Sequence, residues 1–279
     1  MGGENAFSDF QLNVYNFETA FKSKPARYAT IRFDPNNTCN LHCVYCHNHR
    51  SDQTIDADQF RQFLAEKVRD VSYFQVGCIM EPTLDRRLTD FLLTIARSPA
   101  RPAHTLMLQT NGLLLHTHDH GKMVEAGLTN LSVSLDVADP QTQKELRSGM
   151  SLAKVVRNID TFRKGAPDVS VEIISVVTTS NVDQMPGLVD LALNLGARRV
   201  ILRELLYYPK SDVVDHSRMR QLLLKVGEFQ RMEESLSATF NGRIEMIFAP
   251  NETLDALARR MLNESRPEAL LPSPQFHQA

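Results

Sequence analysis

Hydrophobic positions along the chain switch repeatedly between two periods. Residues 28–33 (Y-A-T-I-R-F) alternate and are rich in β-formers, which predicts a strand. In residues 58–71 the apolar positions Phe60, Phe63, Leu64 and Val68 recur at helical spacing and share one face. The switch repeats downstream. Residues 72–77, 105–109, 131–136, 169–178 and 199–205 read as strands, and residues 84–97, 122–126, 154–164 and 184–195 as helices between them. Gly127 and Gly196 stand where helix stop signals are expected. Further on, the pattern predicts a long amphipathic helix over 216–236, one more strand over 243–248 and a short helix over 254–262. Residues 1–26 show no convincing period and read as a short polar lead.

Strands alternating with helices build parallel βαβ units. Six such units exceed a small open sheet and fall short of a closed eight-unit barrel, so a curved α/β sheet or partial barrel with outer helices is expected. In such folds chemistry gathers at the C-terminal ends of the strands. Residues 39–46, 77–81 and 110–112, together with Asp136, all follow or end strands and would share one rim. The expected division is a lead over 1–27, a core over 28–208, and an extension over 209–279 that closes the open end of the sheet, with the substrate determinants expected over 205–279.

At 279 residues and 42% hydrophobic content the chain can bury a full core as one domain. A net charge of −2 gives no sign of nucleic-acid binding, and no apolar run approaches the roughly 18–20 residues that span a bilayer. Residues 1–10 lack a basic region followed by an apolar one, so no signal peptide is read there. The expected location is cytoplasmic, where thiols stay reduced and clustered cysteines serve as metal ligands or catalysts.

Three of the four cysteines fall within eight residues, as Cys39-Asn-Leu-His-Cys43-Val-Tyr-Cys46. Three thiolates on one loop can hold three corners of a cubic iron–sulfur cluster and leave the fourth iron open to a ligand. Two other metal readings exist. Zinc could recruit His42, His47 or His49 as a fourth ligand, and Cys78 could complete a closed all-cysteine cluster. The run His116-Thr-His118-Asp-His120 does not set its histidines on one helical face and reads as a helix edge.

The C-x3-C-x2-C triplet, with aromatic Tyr45 before its last cysteine, resembles the signature of the radical S-adenosylmethionine (radical SAM) superfamily, and the resemblance extends over roughly residues 28–208. It implies a partial (β/α)6 TIM-like barrel with a single [4Fe–4S] cluster on Cys39, Cys43 and Cys46. S-adenosylmethionine would bind the open iron and be cleaved reductively to a 5′-deoxyadenosyl radical. That radical would take hydrogen from a small-molecule or peptide substrate, with electrons from an external donor such as flavodoxin or ferredoxin. A cluster protein serving electron transfer or sensing without catalysis is the rival reading.

Further motifs follow in the family's order. Gly77-Cys-Ile-Met-Glu81-Pro82 stands where the family has Gly-Gly-Glu-Pro, but Cys78 replaces the second glycine and two residues are inserted before the glutamate. The resemblance puts Gly77 and Glu81 near the SAM amino group, and Asn111 of Thr110-Asn111-Gly112 at the end of the third strand. It puts Ser134 and Asp136 of the fourth strand on the ribose or methionine side, Arg147 on the SAM carboxylate, and Tyr45 and Leu205 near adenine. Cys78 could be a catalytic hydrogen donor, a redox thiol or a small buried residue. Alternation can turn Arg203 inward, where a guanidinium could meet an anionic substrate group. No cysteine follows Cys78, so auxiliary clusters are not expected, and the short lead is not expected to form a leader-peptide domain.

Overall fold

Strands and helices alternate through the residues described by a computed structural model, 8–99 and 101–251. The order begins β1 (Ser8–Leu12), α1 (Phe17–Lys22), β2 (Ala26–Phe33), β3 (His42–Cys43), α2 (Ala57–Lys67), β4 (Val68–Val76), α3 (Leu88–Arg97) and β5 (Thr105–Thr110). It continues with α4 (His120–Glu125), β6 (Asn130–Ser134), α5 (Pro140–Leu146), β7 (Arg147–Ser148), α6 (Leu152–Gly165), β8 (Ser170–Val177) and α7 (Met185–Asn194). β9 (Arg199–Glu204), α8 (His216–Leu222), α9 (Glu228–Phe240) and β10 (Glu245–Ala249) complete it. Eight strands form one open, all-parallel sheet in the order β1-β2-β4-β5-β6-β8-β9-β10, and β3 pairs antiparallel with β7 apart from it.

The period-2 pattern divides the sheet into two faces. Ile31, Phe33, Phe74, Val76, Leu106, Leu108, Leu131, Val133, Val200 and Leu202 are buried in the core with the apolar stripes of the helices. Phe33 stacks on Phe60 of α2 at 4.1 Å and meets Phe91 of α3 edge-on at 5.4 Å. On the alternate positions Thr30, Arg32, Gln75, Gln109, Ser134 and Arg203 are only partly buried or exposed. A polar face on an otherwise apolar sheet is where a ligand can sit.

The six predicted strands form the centre of the sheet, and two more edge it. The polar lead is not unstructured: Asp9–Gln11 pairs with β2, and Leu12 is fully buried. Its alternation covers too few residues to stand out from its surroundings. The predicted strand over 243–248 is β10, which pairs with β9. The helix predicted over 58–71 stops at Lys67, because Val68 and Val71 pair with Ala26 and Tyr28 as strand residues. The helix predicted over 216–236 is two helices. The first ends at Leu222, where Leu223 turns extended at ψ 133°, and Gly227, at φ +78°, caps the start of the second. The predicted helix over 254–262 lies outside the described residues. No helix among the described residues is long and apolar enough to cross a membrane.

Candidate functional site

The cysteine loop leaves β2 at Asp34 and is tied down on both sides. Asp34 is buried, and its Oδ1 accepts the N–H groups of Cys78 (2.9 Å), Ile79 (3.2 Å) and Met80 (3.1 Å). Asn36 Nδ2 donates to the Glu81 carbonyl at 3.1 Å, and the Glu81 N–H donates to Thr38 O at 3.0 Å. On the other side His42–Cys43 pairs with Arg147–Ser148, and the Val44 N–H donates to Leu146 O at 2.9 Å. Arg50 Nη1 closes the loop on Cys39 O at 3.1 Å. The triplet is therefore carried between the end of β4 and the α5–β7 arm.

Cys39, Cys43 and Cys46 line one cavity of about 340 Å3. Burial pushes the Cys43 thiol up to about 11; Arg147 opposes this, while Asp136, Cys46 and Cys39 add to it. Burial likewise raises Cys39. The three side chains thus feel one another, although among the described residues no set of three or more ligating side chains is closed around a metal position. Of the histidines weighed for zinc, His42 and His49 have polar partners and His47 lines the cavity. His42 Nδ1 lies 3.4 Å from Arg50 Nη1, His47 stacks on Tyr208 at 3.7 Å, and His49 Nε2 meets Asp212 Oδ1 at 2.8 Å. Cys78 feels Asp34, Arg32 and Arg203 rather than the triplet. Three thiols on one cavity, with no closed set of metal ligands among the described residues, fit a cubic cluster that leaves one iron open.

Behind the triplet lies a buried ionic cluster. Arg147 Nε and Nη2 donate to Asp136 Oδ2 and Oδ1 at 2.8 and 2.9 Å, a bidentate pair. The Tyr45 hydroxyl donates to the same carboxylate, and the Val176 N–H donates to Asp136 Oδ1 at 3.0 Å. The Arg147 guanidinium lies 5.6 Å from the Tyr45 ring centre, and its Nη1 is 3.9 Å from Cys43 Sγ. Burial works against the Arg147 charge, but the Asp136 carboxylate leads the groups that outweigh it and hold the pKa well above its usual range. Burial pushes the Tyr45 phenol well above its ordinary value.

Glu81 sits at the opposite wall, 2% exposed. Its Oε1 accepts from Thr83 N (3.1 Å), Thr83 Oγ1 (2.5 Å) and Thr110 Oγ1 (2.6 Å), and its Oε2 from Asn111 N (2.7 Å). Asn111 Nδ2 in turn donates to Asn40 Oδ1 at 2.7 Å, joining the end of β5 to the cysteine loop. Burial raises the pKa of Glu81 despite these donors.

Asp34 is raised in the same way, burial outweighing its three N–H donors, and its Oδ2 is buried without a hydrogen-bond partner among the described residues. A carboxyl raised in the folded state contributes stability below its unfolded pKa, near 3.8 here, and loses it as pH climbs through the folded value. Asn at position 34 keeps an acceptor for the three N–H groups and does not titrate. The stability of Asp34→Asn relative to wild type should therefore rise as the pH climbs from about 4 through the folded value. Urea midpoints measured across that range check this; a difference that stays flat would refute it.

Of the residues singled out from sequence, Tyr45, Cys78, Glu81, Asn111, Ser134, Arg147 and Leu205 line the same cavity as the triplet. Gly77 and Asp136 do not line it. Gly77 forms the turn that presents Cys78, and Asp136 is wholly buried beneath Arg147 and Tyr45. β6 ends at Ser134, so alternation no longer sets the direction of Asp136. His118 and His120 bond the carbonyls of Thr83 and Leu115 at 2.9 and 3.1 Å, which accounts for two of the three histidines in that run. Sequence reasoning missed Asp34, Asn36 and Arg50. The one signal for them was a cluster of polar turn-formers directly after a strand.

Known proteins resemble this chain in sequence and in fold. The family model described as Radical SAM superfamily matches residues 34–192, more than half of the chain. A probable GTP 3′,8-cyclase of Methanococcus maripaludis is 27% identical over 187 residues, covering 64% of this chain and 58% of that protein. The tungsten-containing aldehyde ferredoxin oxidoreductase cofactor-modifying protein of Pyrococcus furiosus is 30% identical over 190 residues, covering 63% and 51%. The chain thus spans little more than half the length of these curated relatives. SuiB of Streptococcus suis bound to S-adenosylmethionine superposes with a TM-score of 0.60 at 18% identity, covering 82% of this chain and 51% of that one. Bound to the precursor peptide SuiA, SuiB superposes with a TM-score of 0.62 at 17% identity, covering 92% and 56%.

Proposed function

Because the chain belongs to the radical SAM superfamily, we propose that it is an enzyme holding one [4Fe–4S] cluster on Cys39, Cys43 and Cys46 and binding S-adenosylmethionine beside it. The observation that carries this reading is the convergence of the three thiols with Glu81, Asn111, Ser134 and Arg147 on a single cavity. When bound, the cluster and S-adenosylmethionine supply the reductive cleavage that yields a 5′-deoxyadenosyl radical able to take hydrogen from a substrate.

The protein's own part is to hold and shield. Arg147, already neutralised by Asp136, offers its remaining Nη1–H groups to the cavity beside Cys43. Leu205 is buried with Leu146, Met219 and Leu222, and Tyr45 packs against that cluster, giving an apolar wall suited to adenine. Ser134, at the C-terminal end of β6, adds a hydroxyl. Glu81 shapes the wall through Thr83, Thr110 and Asn111 and keeps one oxygen, Oε2, with a single donor for an incoming ammonium group.

The substrate, small molecule or peptide, is proposed to enter from the polar face, with the stretch after Leu205, including Tyr208, among its contacts. An external one-electron donor such as flavodoxin or ferredoxin and a cytoplasmic location complete the reading. Anaerobic reconstitution with iron and sulfide, followed by dithionite and S-adenosylmethionine, tests it. The expected result is 5′-deoxyadenosine and methionine in equal amounts, dependent on dithionite. An intact cluster that never yields 5′-deoxyadenosine, with or without candidate substrates, would favour the non-catalytic electron-transfer reading.

A further inference from the structure

The arginines on the polar face of the sheet are not alike. Arg32 on β2 pairs with Asp9 at 3.2 Å, and Arg199 on β9 with Glu245 at 3.3 Å and Glu172 at 3.7 Å. Arg203, near the C-terminal end of β9, has no ion pair or side-chain hydrogen bond among the described residues, and it lines the cavity. Register sets Val176 of β8 and Ala249 of β10 on either side of it, so neither neighbouring strand offers it a counter-charge. The carboxylates nearby are occupied or turned away. Glu81 is taken by Thr83, Thr110 and Asn111, Glu204 accepts the Asn251 N–H at 2.7 Å, and Asp34 does not line the cavity. Of the three arginines that line the cavity, Arg147 is paired with Asp136 and Arg50 donates to Cys39 O, so Arg203 is the one without a partner among the described residues.

We propose that Arg203 receives an anionic oxygen group of the substrate, a carboxylate or a phosphate, in the part of the cavity next to Cys78. This rests on the radical SAM reading only in taking the cavity to be the substrate site. The planar fork of a guanidinium matches both groups with two parallel N–H···O bonds. Tyr208, stacked on His47 and lining the same cavity, is a candidate second donor. The position of Cys78 agrees. Its thiol is pushed up to about 11 by burial and by Asp34, and drawn back by Arg32 and Arg203, so both guanidinium groups reach it electrostatically. An anion seated on Arg203 would remove part of that pull and cover the thiol.

Cys78 is therefore a built-in reporter. Cluster-loaded enzyme is treated with iodoacetamide, and alkylation of Cys78 is followed by peptide mass spectrometry in the presence of inorganic phosphate, pyrophosphate or succinate. The expected result is several-fold slower alkylation of the wild-type protein, lost in Arg203→Ala and partly kept in Arg203→Lys. Protection by the phosphates alone assigns a phosphorylated substrate, by succinate alone a carboxylate, and by both the anion class without selection. Absence of protection, or protection that survives in Arg203→Ala, overturns the proposal. The two readings fail separately: 5′-deoxyadenosine without protection removes only the anion site, and protection without 5′-deoxyadenosine removes only the radical chemistry.

Discussion

Asp136→Ala is expected to lower the folding stability by about 3–5 kcal/mol, the cost of leaving a buried guanidinium without its partner. Asp136 is fully buried, and its two oxygens take the Arg147 fork, the Tyr45 hydroxyl and the Val176 N–H. Alanine removes all four acceptor contacts at once. Arg147 is itself 8% exposed, so water reaches its charge poorly. The loss should appear as a shift of the urea midpoint at unchanged slope. The double variant Asp136→Leu with Arg147→Met separates charge from packing. Replacing both partners of a buried pair by apolar groups is often close to neutral, so most of the lost stability should return. Affinity for S-adenosylmethionine should not return, because the guanidinium beside Cys43 would still be gone. If Asp136→Ala loses less than about 1 kcal/mol, the range of an exposed pair, the buried cluster does not hold the cysteine loop.

This cluster also shows where sequence reading reaches its limit. The strands were legible because alternation is a property of consecutive residues: Ile31 and Phe33 turn to the core and Arg32 turns away. The cysteine spacing was legible for the same reason, since three ligands on one loop are local. Asp136 fell beyond the end of its strand, where alternation stops governing direction. The partners of Asp34 were invisible, because they lie 44 to 46 residues further on and nothing near it in the chain marks them. Val68 satisfied a helical face and a strand equally well, and only pairing with Ala26 decided between them. The start of α9 at Gly227 could have been read from the glycine, but the amphipathic pattern runs through it and through the end of α8 at Leu222. Local periodicity thus reveals the frame and the ligand triplet, and the contacts that set the cavity wall are long-range.

Gly77→Ala should be the most damaging small substitution at the site. Gly77 has φ +80°, and a Cβ there would lie 2.2 Å from the Gln109 carbonyl oxygen and 2.7 Å from Pro82 Cγ. Gly127 provides the control. Its φ is +75°, and an added Cβ meets nothing within 4 Å. Both substitutions carry the left-handed backbone cost of about 1–2 kcal/mol. Only Gly77→Ala adds the overlap, worth about 1–3 kcal/mol where neighbours are packed. The first neighbour is backbone of β5 and cannot swing aside as a side chain could. Relief must come from moving the turn, whose N–H donates to Phe33 O at 2.8 Å and which leads into the three N–H groups on Asp34. Gly77→Ala should therefore lose roughly 2–5 kcal/mol, against about 1–2 for Gly127→Ala, and it should also weaken S-adenosylmethionine binding where Gly127→Ala does not. Calorimetric melting and equilibrium dialysis measure the two effects. Equal losses in the two variants would mean that the turn can yield, and that the wall from Cys78 to Glu81 is not set by the close approach of β5.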